Sequence, residues 1–269
     1  MYLKFYGLTE SPFNITPDPR FLFYTRHHRE AYEHVLYGIE NRKGFIQLTG
    51  EVGAGKTTIC RAVLANLKSD IHTALILNPC LTENQLLRAI LNDFGLNAKG
   101  RDRLAFIETL NRFLLEQVAA DHNVALIVDE AQDLSPELLE QIRLLSNLET
   151  DQHKLLQIVL CGQPELQRRL EAPDLRQLRQ RITVRYHLRP LTEEETRQYL
   201  DHRLRTAGWT GGELFTRDAV HAVHRYANGI PRLTNAVSDV SLLAGYVAQT
   251  RTVDGACVKR AIQQLEGRS

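Results

Sequence analysis

Residues Gly50-Glu51-Val52-Gly53-Ala54-Gly55-Lys56-Thr57-Thr58 fit the pattern G-x-x-x-x-G-K-[ST]. They stand between a short apolar run at 45–49 and a helical pattern at 55–68. Nothing else in the chain narrows the fold so far. A loop of this kind works only when a strand launches it and a helix receives it, so the surroundings must be a strand–loop–helix unit. The glycines allow the backbone to curl until successive N–H groups point inward at a β-phosphate. Lys56 adds positive charge toward the β- and γ-phosphates, and Thr57 offers a hydroxyl to Mg²⁺. Residues 50–58 are therefore the expected phosphate-binding segment, with ATP and Mg²⁺ as cofactors.

Strand and helix signals alternate on both sides of this loop. Strands are expected at 45–49, 73–78, 124–128, 155–160 and 182–186, and helices at 27–41, 55–68, 82–94, 104–119 and 135–148. The run 124–128 is continuously apolar, as befits a strand covered on both faces. Ser135 and Pro136 supply an N-cap and a first-turn proline. Such alternation argues an α/β fold with a parallel sheet layered between helices.

After residue 190 the strand signals stop. Helices are expected at 192–207, 216–227, 231–248 and 253–265, capped by Thr192, Thr216 and Asp254, with Thr192 and Glu195 forming a capping box. The chain thus divides into an α/β nucleotide-binding domain over 1–190 and a small all-α domain over 191–269. Residues 1–25 carry Pro12, Pro17 and Pro19 among seven aromatic side chains. That punctuation argues against a helix, and the aromatic content argues against a loose tail, so the segment is expected to wrap onto the body.

Composition excludes several alternatives. With 33 basic and 32 acidic residues the net charge is +1, which gives no global argument for a nucleic-acid partner. Cys60, Cys80, Cys161 and Cys257 form no CxxC pair, and the histidines show no metal-ligand spacing. A reducing compartment and no Cys/His metal site are expected. His27 and His28, ahead of a helix, read as a solvated pair. No run of about 18 apolar residues is present, and the first residues lack the pattern of a signal peptide, so a cytosolic protein is expected.

A second group of residues completes the expected chemistry. The apolar run 124–128 ends in Asp129 and Glu130. A carboxylate at the C-terminal end of a strand beside a phosphate loop can reach Mg²⁺ through its water shell, which assigns Asp129 to the metal together with Thr57. Glu130 is placed to orient or deprotonate the attacking water. Asp133 is read as a structural cap. Asn78 has two readings, a brake on Glu130 or a plain Asn-Pro turn. Gln163 also has two: a side chain aimed at the γ-phosphate or water, if its strand lies between the first and third, or a turn residue before Pro164.

Arg168, Arg169, Arg176, Arg179, Arg181, Arg185 and Arg189 crowd residues 168–189. They can be a solvated face, a phosphate-backbone patch, or arginines offered to a neighbouring subunit's ATP. For the last role Arg181 is the first choice and Arg179 the second. In the turn Asn228-Gly229-Ile230-Pro231-Arg232, Arg232 lands in the first turn of a helix, where a cation is unfavourable. A contact with ATP phosphate would account for it.

The order GEVGAGKTT, LIVDEAQ, LRQLRQRI and GIPR, behind the opening FYGL…PF…PDPRF, resembles the secretion-pathway protein A ATPases, the ExeA/GspA-like AAA+ group. The MSHA pilus biogenesis ATPases are the nearest look-alikes within it. The resemblance covers essentially the whole chain. It implies a P-loop AAA+ domain of three αβα layers followed by an α-helical lid. It also implies Gln163 as sensor 1, Arg181 or Arg179 as arginine finger, and Arg232 as sensor 2. Gln163 departs from the more common Asn, Ser or Thr. The implied activity is ATP hydrolysis by a homo-oligomer, a ring or a nucleotide-dependent assembly. The implied role is building an MSHA-like type IV pilus or a type II secretion complex with inner-membrane partners. Its place would be cytoplasmic or peripheral at the inner membrane. Related chains continue into a membrane helix and a periplasmic region, so this one is either a stand-alone ATPase or a truncation. Two other functions stay open: a DNA-binding ATPase like the transposition regulators, and a nucleotide-gated scaffold with little turnover.

Overall fold

The computed structural model describes residues 1–14, 19–21, 23–149 and 154–267. Along the chain run α1 (Tyr2–Tyr6), α2 (Arg26–Glu40), β1 (Phe45–Gly50), α3 (Lys56–Asn66), β2 (Ile71–Ile76), α4 (Glu83–Asp93) and α5 (Arg103–Ala119). Then follow β3 (Asn123–Val128), α6 (Pro136–Leu145), β4 (Gln157–Gly162), α7 (Pro164–Leu170), α8 (Arg176–Arg181) and β5 (Ile182–Leu188). The chain continues with α9 (Glu193–Thr206), α10 (Arg217–Ala227), α11 (Pro231–Val247) and α12 (Gly255–Leu265). It divides into two units, one of residues 29–50 and 59–188, the other of residues 1–28, 51–58 and 189–269.

The first unit holds one five-stranded sheet in the order β2-β3-β4-β1-β5, every neighbouring pair parallel. Register places Leu126 beside Ile158 and Ile46 beside Val159. The central strands β1, β3 and β4 are buried along their whole length, which is why they read as unbroken apolar runs. The edge strand β5 alternates instead, with Ile182 and Val184 buried and Thr183 and Arg185 exposed. Successive strand residues face opposite sides. One face brings Phe45, Leu126 and Ile158 together with Leu86, Ile90, Leu114 and Leu139 of the helices. On the other, Gly38 lets α2 close onto Ile46; a Cβ there would lie 2.3 Å from the Ile46 side chain. Parallel strands covered on both faces are the expected α/β arrangement.

In the second unit, α9 to α12 share a core with the start of the chain. Tyr6, Phe13 and Phe21 are buried among Leu204, Phe215, Val223, Val237 and Val258. Arg203 fastens this segment: its guanidinium donates to the carbonyls of Pro12 (2.5 Å) and Asn14 (3.0 Å) and lies 4.6 Å from the centre of the Phe21 ring. The expected wrap is therefore a tether onto the helical core; Pro17 lies outside the described residues.

Three local expectations need correcting. The opening is partly helical, because the first proline, Pro12, comes only after α1 has ended at Gly7, whose φ of 75° closes the helix with bonds to the Leu3 and Lys4 carbonyls. Residues 164–170, where no helix was expected, are helix α7, opened by Pro164 at its first position. Thr216 precedes α10 without a side-chain capping bond; its hydroxyl donates instead to Asp218 and to the Val253 carbonyl.

Candidate functional site

Residues 51–55 form the loop between β1 and α3. Gly53 and Gly55 sit at φ +77° and +105°, a region that L side chains rarely adopt. Lys56 is the first residue of α3 and is 5% exposed; its Nζ donates to the Glu51 carbonyl at 3.0 Å. Ala54 N–H returns to the same carbonyl at 3.1 Å, so the loop turns back on Glu51. Val52 is exposed.

Two residues from elsewhere in the same unit hold this loop by its carbonyls. Arg232, in the first turn of α11, donates its backbone N–H to Gly53 at 3.3 Å. A Cβ on Gly53 would lie 2.5 Å from that of Arg232, so only glycine fits there. The residue singled out in the GIPR turn is thus a direct neighbour of the loop after β1. His28 is the other, with Nε2 3.2 Å from the Ala54 carbonyl and Nδ1 2.7 Å from Thr25 Oγ1. It is 4% exposed, which overturns its reading as one of a solvated pair. Burial holds its imidazole below the ordinary pKa, against the opposing effect of the Ala54 carbonyl.

In the sheet unit the two acids stand where β3 ends. Asp129 is 3% exposed, and its Oδ1 accepts the Glu130 N–H at 2.9 Å. Glu130 has φ 50°, an uncommon left-handed backbone for a residue with a side chain. Its Oε2 accepts from Gln132 Nε2 at 2.8 Å and Gln163 Nε2 at 3.3 Å. Gln132 Oε1 in turn accepts the Gln163 N–H at 3.0 Å, which fixes the orientation of the Gln132 amide. Arg169 donates to the Gln132 carbonyl. β4 does lie between β1 and β3, as the reading of Gln163 required, and the described partner of its side chain is Glu130. Asn78 Oδ1 accepts Cys80 N–H at 3.2 Å; among the described residues, the amides bonded to Glu130 are those of Gln132 and Gln163. Asp133 belongs to a 3-10 turn ahead of α6, and the capping oxygen there is Ser135 Oγ.

The arginine-rich stretch is half-buried at both candidate fingers. Arg181 donates to Ser146 Oγ at 2.7 Å, and the Arg179 carbonyl accepts from Arg185 at 2.6 Å. Among the described residues, no group of three or more His, Cys, Asp or Glu forms a metal-binding cluster, and no helix is long and apolar enough to cross a membrane. Cys60, Cys161 and Cys257 are buried thiols and Cys80 is exposed. Sequence reasoning missed His28 and Gln132. The signal for Gln132 was its position two residues after Glu130; His28 offered none.

Residues 39–170 match the family model described as an AAA domain. The chain is 45% identical over 268 residues to General secretion pathway protein A of Aeromonas hydrophila, a match covering 99% of this chain and 49% of that protein. The chain is thus a relative of that secretion-pathway protein and carries an AAA domain. It spans about half the length of this curated relative. Solved structures repeat the fold at low identity. Cdc6p of Pyrobaculum aerophilum is 18% identical, with a TM-score of 0.72 over 94% of this chain and 70% of that one. The ORC2 protein of Aeropyrum pernix, in ADPNP–ADP complexes, is 17% identical, with a TM-score of 0.68 over 98% and 74%. The RuvB branch migration motor of Thermotoga maritima gives 17% and 0.56 over 88% and 69%. These likenesses are of the fold alone.

Proposed function

We propose that the chain binds ATP with Mg²⁺ through residues 50–58 and hydrolyses it with Glu130, and that this turnover assists assembly of a type II secretion complex or a related MSHA-like type IV pilus. The observation that carries the reading is the loop itself. Gly53 and Gly55 hold conformations that turn a backbone around an anion, and Lys56 opens α3, whose N-terminal dipole favours negative charge. These residues fit a triphosphate: Lys56 neutralises it, Thr57 and Asp129 hold the metal, and Glu130 takes a proton from water. Arg232 senses the phosphates from the first turn of α11. Arg181, or else Arg179, completes a neighbour's site in an oligomer. The link to secretion rests on General secretion pathway protein A.

The test separates binding from turnover. Lys56→Ala is expected to lose ADP and ATP binding by calorimetry, while Glu130→Gln keeps ATP bound and lowers phosphate release by ~10²-fold or more. Equal turnover in wild type and Glu130→Gln would remove Glu130 from the chemistry. Undiminished ATP binding by Lys56→Ala would remove the loop.

A further inference from the structure

His28 is a buried imidazole to which the reading above gives no task. It stands at the third position of α2, and Thr25, the residue before that helix, accepts the His28 backbone N–H through Oγ1 at 3.2 Å. The same hydroxyl lies 2.7 Å from His28 Nδ1. On the far side of the ring, Nε2 faces the Ala54 carbonyl at 3.2 Å, and an added Cβ on Gly55 would lie 3.4 Å from Nε2.

This arrangement fixes the tautomer. A carbonyl oxygen only accepts, so Nε2 must carry a hydrogen. Burial disfavours a second proton, so Nδ1 stays bare and accepts the Thr25 hydroxyl. The hydroxyl accepts from the backbone and donates to the ring, and every polar atom of the relay from α2 to the loop is matched.

A trans peptide points its C=O and the next residue's N–H in opposite directions. Holding the Ala54 carbonyl toward His28 therefore aims the Gly55 N–H away from it. Such N–H groups are the phosphate ligands of a loop of this type. Gly55, at φ +105°, has no side chain to restrict its own peptide planes, so an outside group must set them.

We propose that His28 is a positioning residue for nucleotide binding: its Nε2–H locks the Ala54–Gly55 peptide in the orientation that presents the Gly55 N–H to the phosphates. The proposal rests on the phosphate-loop reading above, and the experiment keeps the two apart. ADP binding is measured by calorimetry for wild type, Lys56→Ala, His28→Gln and His28→Asn, with thermal unfolding recorded without nucleotide. A glutamine amide can place an N–H near the position of Nε2, whereas asparagine reaches only the position of Nδ1. His28→Gln is expected to bind ADP within about threefold of wild type and His28→Asn about tenfold more weakly, the loss of one buried hydrogen bond. Equal affinities for the two variants overturn the role of His28. A wild type that binds no ADP, or binds it as well as Lys56→Ala does, overturns the phosphate-loop reading and this proposal with it. Because His28→Asn can fail to fold, nitrogen-15 NMR of the wild-type histidines provides a second readout. His28 is expected as the neutral Nε2–H tautomer with a slowly exchanging proton, and an Nδ1–H tautomer overturns the proposal.

Discussion

Replacing Gly229 by alanine adds one methyl group at a place with no room for it. Gly229 follows Asn228, the left-handed residue that ends α10, and is itself at φ +72°. A Cβ there would stand 2.1 Å from the Leu191 carbonyl oxygen and 2.9 Å from the Leu191 nitrogen. Both are backbone atoms, and the Leu191 N–H is bonded to the Gly229 carbonyl at 2.9 Å, so neither partner can swing aside as a side chain would. The left-handed conformation alone costs an alanine about 1 kcal/mol. Relieving an overlap of roughly 1 Å against backbone costs about 1–3 kcal/mol, and losing the Leu191–Gly229 bond about 1 kcal/mol more. Gly229→Ala is thus expected to destabilise the protein by ~3–5 kcal/mol, measured by urea unfolding. Gly212→Ala is the control: its Cβ would meet nothing within 4 Å, and the change should stay within about 0.5 kcal/mol of wild type. Gly229 also sets the entry to α11, so surviving folded Gly229→Ala should bind ADP more weakly through displacement of Arg232 from Gly53. A Gly229→Ala protein within 1 kcal/mol of wild type, or a Gly212→Ala protein equally damaged, would refute the steric argument.

Two further outcomes concern turnover. Gln132→Ala removes the nearer of the two amides on Glu130 and is expected to lower single-turnover hydrolysis about tenfold with ADP affinity unchanged; an unaltered rate would leave Gln132 with packing alone. Arg181→Ala chains, inactive by themselves, are expected to regain phosphate release when mixed with Lys56→Ala chains, since each supplies what the other lacks; the absence of recovery for Arg181 and Arg179 alike, in chains shown to co-assemble, would remove the shared site.

The sheet was legible because its strands leave long apolar traces, and those traces exist because β1, β3 and β4 are covered on both faces. β2 was placed two residues late, since its first half, Ile71 to Thr73, is only half-buried and lacks that trace. The short helices α1 and α7 span one or two turns, too few for a 3.6-residue period to show. Of the candidate site, Gly50 to Thr58, Asp129 and Glu130 were legible as contiguous motifs whose chemistry is carried by residue type. The amides around Glu130 were assigned less well. Asn78, Gln132 and Gln163 are alike as residues, and only the spatial order β3-β4-β1 decides which of them meets the carboxylate. His28 lies 26 residues before Ala54, and a single histidine carries no spacing to read.

The tether of the opening segment sets a timetable for synthesis. Tyr6, Phe13 and Phe21 leave a ribosome well before the side chains that bury them, from Leu200 to Ala261. At 5–20 residues per second, roughly 10–40 s pass between the two. Through that interval three aromatic rings and the Arg203-binding carbonyls of Pro12 and Asn14 have no core to enter. The nascent chain must therefore carry these apolar side chains exposed while its sheet forms behind them. The helical core closes only when these two segments meet.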